Sequence, residues 1–152
     1  TSNTDELTKC YNRRAYDSDM ENLDLNTEWI YISLDLNGLK KANDTLGHSA
    51  GDELICAASN CMKFAFASYG KIYRIGGDEF VVIEQDVLES KFYSKYEMLL
   101  KRMKELEISV ATGYIWKESC LNLSEILQEA DQKMYEDKKR YYSIAQNDRR
   151  RR

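Results

Sequence analysis

The order of strand-type and helix-type segments predicts an α/β (α+β) fold of the ferredoxin-like kind, with a central, mostly antiparallel sheet flanked by helices. Three observations carry that expectation. The run Trp29 to Leu36 (WIYISLDL) is β-branched, aromatic and mostly apolar over eight residues, the pattern of a buried central strand. Two β-type runs, Lys71 to Ile75 and Glu79 to Glu84, flank Gly76, Gly77 and Asp78, a hairpin signal because glycine tolerates the positive φ of tight turns. Between and after these segments, apolar residues recur at helical spacing.

Taken in chain order, Asp5 to Asn12 carries turn-type residues and Arg13 to Leu23 has the spacing of a short opening helix, so residues 1–24 read as a lead-in segment. The buried strand follows and ends at Asp35. From Gly38 to about Phe66 the pattern is helical but broken at Gly47 and Gly51, which predicts two helices joined by a glycine corner. After the hairpin, Ser90 to Leu106 reads as an amphipathic helix and Ile108 to Trp116 as a strand. A last helix is expected from a cap at Ser124, with Ile126, Leu127, Ala130, Met134 and Tyr135 as a stripe facing the sheet. Residues 143–152 read as a C-terminal tail, and the arginine run from Arg149 to Arg152 as a solvated end. The 152 residues are expected to form one domain, 1–152.

A net charge of -4 and a pI of about 5.2 exclude bulk attraction to nucleic acid or anionic membrane, so any phosphate chemistry must be local. The four cysteines, Cys10, Cys56, Cys61 and Cys120, form no CxxC pair, which argues against zinc and a disulfide framework and for reduced, cytoplasmic thiols. No run of eighteen apolar residues and no signal pattern occurs. The expectation is a soluble domain, with room for a sensor or membrane segment ahead of Thr1 in a longer parent protein.

The chemistry concentrates in LDLNGLKKANDTLGHSAGD (Leu34 to Asp52) and in RIGGDEF (Arg74 to Phe80). A carboxylate ending a buried strand is costly unless it is paired or holds a cation. The acidic pair Asp78 and Glu79 on a glycine turn offers further oxygens of the kind a hard ion such as Mg2+ takes. From these residues alone two readings stay open: a phosphate-bound Mg2+ site, or a helix-capping Asp35 and a turn-forming Asp78.

Four ordered motifs resolve the choice by resemblance: DELTKCYNRRAY at Asp5 to Tyr16, DLNGLKKANDTLGHSAGD at Asp35 to Asp52, GGDEF at Gly76 to Phe80, and ADQKMYEDKK at Ala130 to Lys139. Along nearly its whole length the chain resembles the GGDEF family of diguanylate cyclases, whose fold is of the nucleotide-cyclase and polymerase-palm kind. The resemblance implies condensation of two GTP into cyclic di-GMP and two pyrophosphates by a homodimer, with Mg2+ (or Mn2+) as cofactor. It implies metal binding by Asp35, the Leu36 carbonyl and Asp78, with Asp78 also near the reacting ribose hydroxyl. Glu79 is a supporting catalytic residue, ranked lower because neighbours on a strand point to opposite faces. Asn43 and Asp52 match the guanine readers, a carboxylate accepting the two adjacent donors of that base edge, and adenine would leave them unpaired. Lys40 and Lys138 match phosphate contacts. His48 is expected to make a structural hydrogen bond, and Arg13 and Arg14 to be structural or interface charges.

Three departures stand out. The usual acidic-aromatic pair after the metal aspartate is here Asn37 and Gly38, the inhibitory RxxD motif is Ala67, Ser68, Tyr69 and Gly70, and the arginine four residues after Lys138 is Tyr142. They keep open an alternative, a catalytically weak GTP-binding regulatory module, beside the active cyclase under an upstream sensor or regulatory domain.

Overall fold

The computed structural model describes residues 3–24, 26–68, 70–118 and 123–150, the last five of these by backbone alone. Tyr69, Cys120, Arg151 and Arg152 lie outside the described residues. The elements run α1 (Arg13–Glu21), β1 (Trp29–Leu36), α2 (Leu39–Leu46), α3 (His48–Phe66), β2 (Gly70–Arg74), β3 (Glu79–Gln85), α4 (Glu89–Glu105), β4 (Val110–Lys117) and α5 (Leu123–Arg150).

The four strands form one sheet in the order β2-β3-β1-β4, and every pairing is antiparallel. β1 lies inside the sheet and is buried along its whole length, as its mostly apolar run predicts, with Ser33 and Asp35 buried among the apolar residues. Alternation along β1 sorts its side chains to two faces. Ile30, Ile32, Leu34 and Leu36 pack with Phe66 and Met62 of α3 and with Phe92, Leu99 and Met103 of α4. Trp29 and Tyr31 pack on the other face with Ala15 and Tyr16 of α1 and Ile126 and Ala130 of α5. Each fully buried side chain of this size contributes roughly 1.5–3 kcal/mol. Asp35 has the parity of Trp29 and Tyr31, so it faces the α5 side.

α5 lies close on the sheet because β4 offers it a glycine. A Cβ at Gly113 would come within 2.5 Å of the Lys133 Cβ and 2.9 Å of the Ala130 carbonyl oxygen. Small residues on both sides let backbone meet backbone, and that approach sets how far the later turns of α5 reach over β1.

Several details differ from the sequence reading. Gly76 and Gly77 do not adopt positive φ, because the loop closes with bonds from the Ile75 and Gly76 N–H groups to the Glu79 carbonyl (2.9 and 3.4 Å) and needs no left-handed residue. The positive-φ glycines are Gly38 and Gly47. Ser124 stands inside the first turn of α5, since the helix begins at Leu123. Tyr135 is 57% exposed, five residues beyond Ala130 and so off the buried stripe. Residues 143–150 continue α5 instead of leaving it as a tail. His48 opens α3 as an exposed residue, and its side chain has no hydrogen bond among the described residues. Cys10, Cys56 and Cys61 are free thiols. No described helix is long and apolar enough to cross a membrane.

Candidate functional site

The site begins with register. Asp35 stands directly opposite Glu79 on β3, and directly opposite residues of an antiparallel pair share a face. Asp78 lies in the bend before β3, outside the alternation that separates strand neighbours, and the Leu36 N–H donates to its carbonyl at 2.9 Å. One oxygen from each of Asp35, Asp78 and Glu79 therefore lies within 4.8 Å of the others. This corrects the reason for ranking Glu79 lower: alternation does not apply across the end of the strand.

Arg74 holds the hairpin tip in place. Its guanidinium donates from Nη2 to the Gly77 carbonyl (2.9 Å) and from Nη1 to both oxygens of Asp5 (3.2 Å each), tying the GGDEF turn to the N-terminal loop. Asp5 also accepts the Thr8 N–H and hydroxyl at 2.9 and 2.8 Å. Burial alone would raise the Asp5 carboxyl, but these bonds outweigh it and hold the group below its ordinary value. The sequence reading missed Arg74, although it stands one residue before the Ile-Gly-Gly run.

Lys138 is the cation of the site. Its Nζ lies 2.8 Å from Asp35 Oδ2, with both side chains largely buried, so the residue expected at phosphate sits on the strand-end carboxylate. Asp35 Oδ1 is buried and has no hydrogen-bond partner among the described residues. Burial first, and then the adjoining Asp78 charge, push the Asp35 carboxyl up to about 6 against the pull of Lys138. One lysine faces three carboxyl groups there, and the orphaned oxygen and hard donor set fit a divalent cation such as Mg2+.

The other expected residues lie at the α2–α3 corner. Asn43 on α2 packs against Gly51 so tightly that a Cβ there would fall 1.7 Å from the Asn43 Oδ1, which is why α3 carries glycine at that position. That oxygen is buried without a partner among the described residues, and Asp52, the next residue after Gly51, is exposed. Lys40 is exposed in the first turn of α2. Arg13 pairs with Asp17 on the surface of α1, and Arg14 is exposed.

The departures acquire physical settings. Asn37 is buried, and its amide donates to Ser109 Oγ at 3.1 Å while its N–H donates to the Ser109 carbonyl at 3.0 Å, so it fastens β1 to the start of β4. Gly70, where RxxD has its aspartate, pairs with Glu84, and a Cβ there would lie 2.6 Å from the Glu84 Cγ and from the Ile83 carbonyl oxygen. Glu84 is itself fully buried and ion-paired with Lys95 at 2.8 Å, so it has little room to yield. Tyr142 is 53% exposed, with Lys138 Nζ 5.8 Å from its ring centre.

The antiparallel β2-β3-β1-β4 sheet, with a carboxylate cluster where β1 meets a hairpin tip, is a cyclase palm-like fold. The profile described as "Diguanylate cyclase, GGDEF domain" matches residues 2–142, and the chain belongs to that family. It is 30% identical over 137 residues to "Probable diguanylate cyclase DgcI" of Escherichia coli, covering 89% of this chain and 31% of that protein. With "Signaling protein YkoW" of Bacillus subtilis it shares 34% identity over 156 residues, covering 91% of this chain and 18% of that one. The chain thus spans less than a third of either relative. Its fold matches the crystal structure of the GGDEF domain of DgcB from Caulobacter crescentus in complex with c-di-GMP, with a TM-score of 0.79, 24% identity and 91% coverage of both chains.

Proposed function

We propose that this domain condenses two GTP molecules into cyclic di-GMP as a homodimer, each copy binding one GTP and presenting it to the other. The observation that carries the reading is the convergence of Asp35, Asp78 and Glu79 within 4.8 Å beside Lys138. Asp35, Asp78 and Glu79, with the Leu36 carbonyl, would hold Mg2+ or Mn2+, which supplies charge neutralisation of the triphosphate when bound. Asp78 accepts the proton of the ribose 3′-hydroxyl, and Glu79 supports it from the same face. Each 3′-oxygen forms a bond to the α-phosphorus of the opposing GTP as the α–β anhydride bond breaks and pyrophosphate departs. Lys138, which neutralises Asp35 in the ligand-free domain, and Lys40 take up phosphate charge once nucleotide is present. Asp52 accepts the two donors of the guanine edge, and Asn43 covers the remaining polar atoms.

An input domain elsewhere in a longer protein would bring two copies together, consistent with the small share of its relatives that the chain spans. A second reading, a GTP-binding regulatory module with weak turnover, draws on the exposed, uncharged Tyr142. Incubation of the domain, dimerised through a fused coiled coil, with GTP and Mg2+ separates the two. Chromatographic appearance of cyclic di-GMP supports the cyclase, whereas GTP binding without product supports the module.

A further inference from the structure

One of the sequence departures, Gly38, meets Tyr141 of α5, the neighbour of the departure at Tyr142. Gly38 takes φ +76° and opens α2, whose first helical bond runs from the Ala42 N–H to the Gly38 carbonyl at 3.0 Å, and no side chain caps the helix start. Over this turn lies Tyr141, its hydroxyl 3.5 Å from where a Gly38 Cβ would stand. The Tyr141 ring is half-buried and set edge-on to Tyr142 at 5.1 Å between ring centres, which fixes its direction. Its hydroxyl has no hydrogen-bond partner among the described residues. One turn earlier on the same helix, Lys138 reaches Asp35, whose second oxygen is the orphaned one.

The turn from Asp35 to Leu39 is therefore bounded at one end by the carboxylates, with the Lys138 ammonium paired to Asp35, and at the other by donors: the uncapped N–H groups opening α2 and the Tyr141 phenol. A polyphosphate carrying a divalent cation matches that division of charge, the cation toward the carboxylates and the free oxygens toward the donors. We propose that Tyr141 is a further nucleotide-binding residue, donating its O–H to a triphosphate oxygen of GTP at the Gly38 turn. It fills the role that the missing arginine leaves open, from the position next to it. Tyr142 contributes the edge that holds the Tyr141 ring. The inference rests on the GTP reading above.

Isothermal titration tests it on the intact domain with Mg2+ and a GTP analogue carrying an unreactive α,β-methylene bridge, and separately with inorganic tripolyphosphate. Tyr141→Phe keeps the ring and removes only the hydroxyl. Affinity for both probes is expected to fall on the order of ten-fold, the value of a hydrogen bond to a charged acceptor. The melting temperature and competition by phosphate-free guanosine should stay unchanged. Tyr142→Phe should bind both probes within two-fold of wild type. If wild type binds the analogue and Tyr141→Phe binds it equally well, or loses guanosine and thermal stability in parallel, Tyr141 is a packing residue and the inference fails alone. A wild-type domain that binds neither probe overturns the GTP reading and this inference together.

Discussion

The two halves of the site are built in different ways. At the carboxylate half, Asp35, the adjoining Asp78 and Glu79, and Lys138 come from three stretches of chain, held by long-range constraints: the β1–β3 register, the Leu36 bond to the Asp78 carbonyl, the Arg74 brace and the close seat of α5 on Gly113. At the α2–α3 corner, Asn43 and Asp52 lie nine positions apart across one glycine-hinged turn, and Asp52 projects into solvent. A half assembled from distant pieces is rigid but vulnerable to any shift of its supports. A half assembled locally depends on little beyond its own turn, so substitutions there should change recognition and leave the fold alone.

The largest effect should come from the assembled half itself. Asp78→Ala removes the proposed cation ligand and proposed base together, and product formation is expected to fall by at least ~100-fold. Undiminished cyclic di-GMP from that variant would place the chemistry elsewhere. Gly113→Ala attacks the same half through its support, because the added methyl meets the Lys133 and Ala130 backbone region at 2.5 to 2.9 Å. Overpacking of this kind costs about 1–3 kcal/mol. Chemical denaturation should register that loss, accompanied by weaker Mg2+-dependent nucleotide binding as α5 lifts. Retention of full stability would mean that the helix seat is softer than its contacts imply.

The local half is sharpened by Asp52→Ala, which should narrow the preference for GTP over ATP by roughly 1–3 kcal/mol, the value of one bidentate base contact. Melting should be unaffected, because the side chain is exposed. Unchanged discrimination would assign guanine reading to another residue. The smallest expected effect concerns the brace. Asp5 is held below its ordinary value, so its contribution is present above the unfolded carboxylate range and is lost as pH falls below about 4. Asp5→Asn should flatten the acid limb of stability against pH by less than about 1 kcal/mol, since the pair with Arg74 is partly exposed. An unaltered acid limb would detach the N-terminal loop from the hairpin energetically.

What was legible in the sequence follows from which forces are local. The WIYISLDL run marked β1 to within a residue, because six apolar positions among eight fit a strand covered on both faces. The glycine at position 47 marked the α2–α3 corner, because its left-handed φ is a property of one residue. The carboxylates were visible as residue types, but whether Glu79 joins Asp35 depends on a cross-strand register that no single segment contains. The same holds for Lys138, whose partner lies 103 positions away and which reaches it only because Gly113 and Ala130 let two backbones approach. Arg74 and Tyr141 escaped the sequence reading for that reason: each acts on a backbone turn distant in sequence, and only packing decides which turn that is. Sequence by itself determined the elements, the family motifs and the acidic inventory of this chain. The tertiary structure decided which charges face one another, since Coulomb and contact energies depend on separation in space and sequence spacing sets that separation only within a single helix, strand or turn.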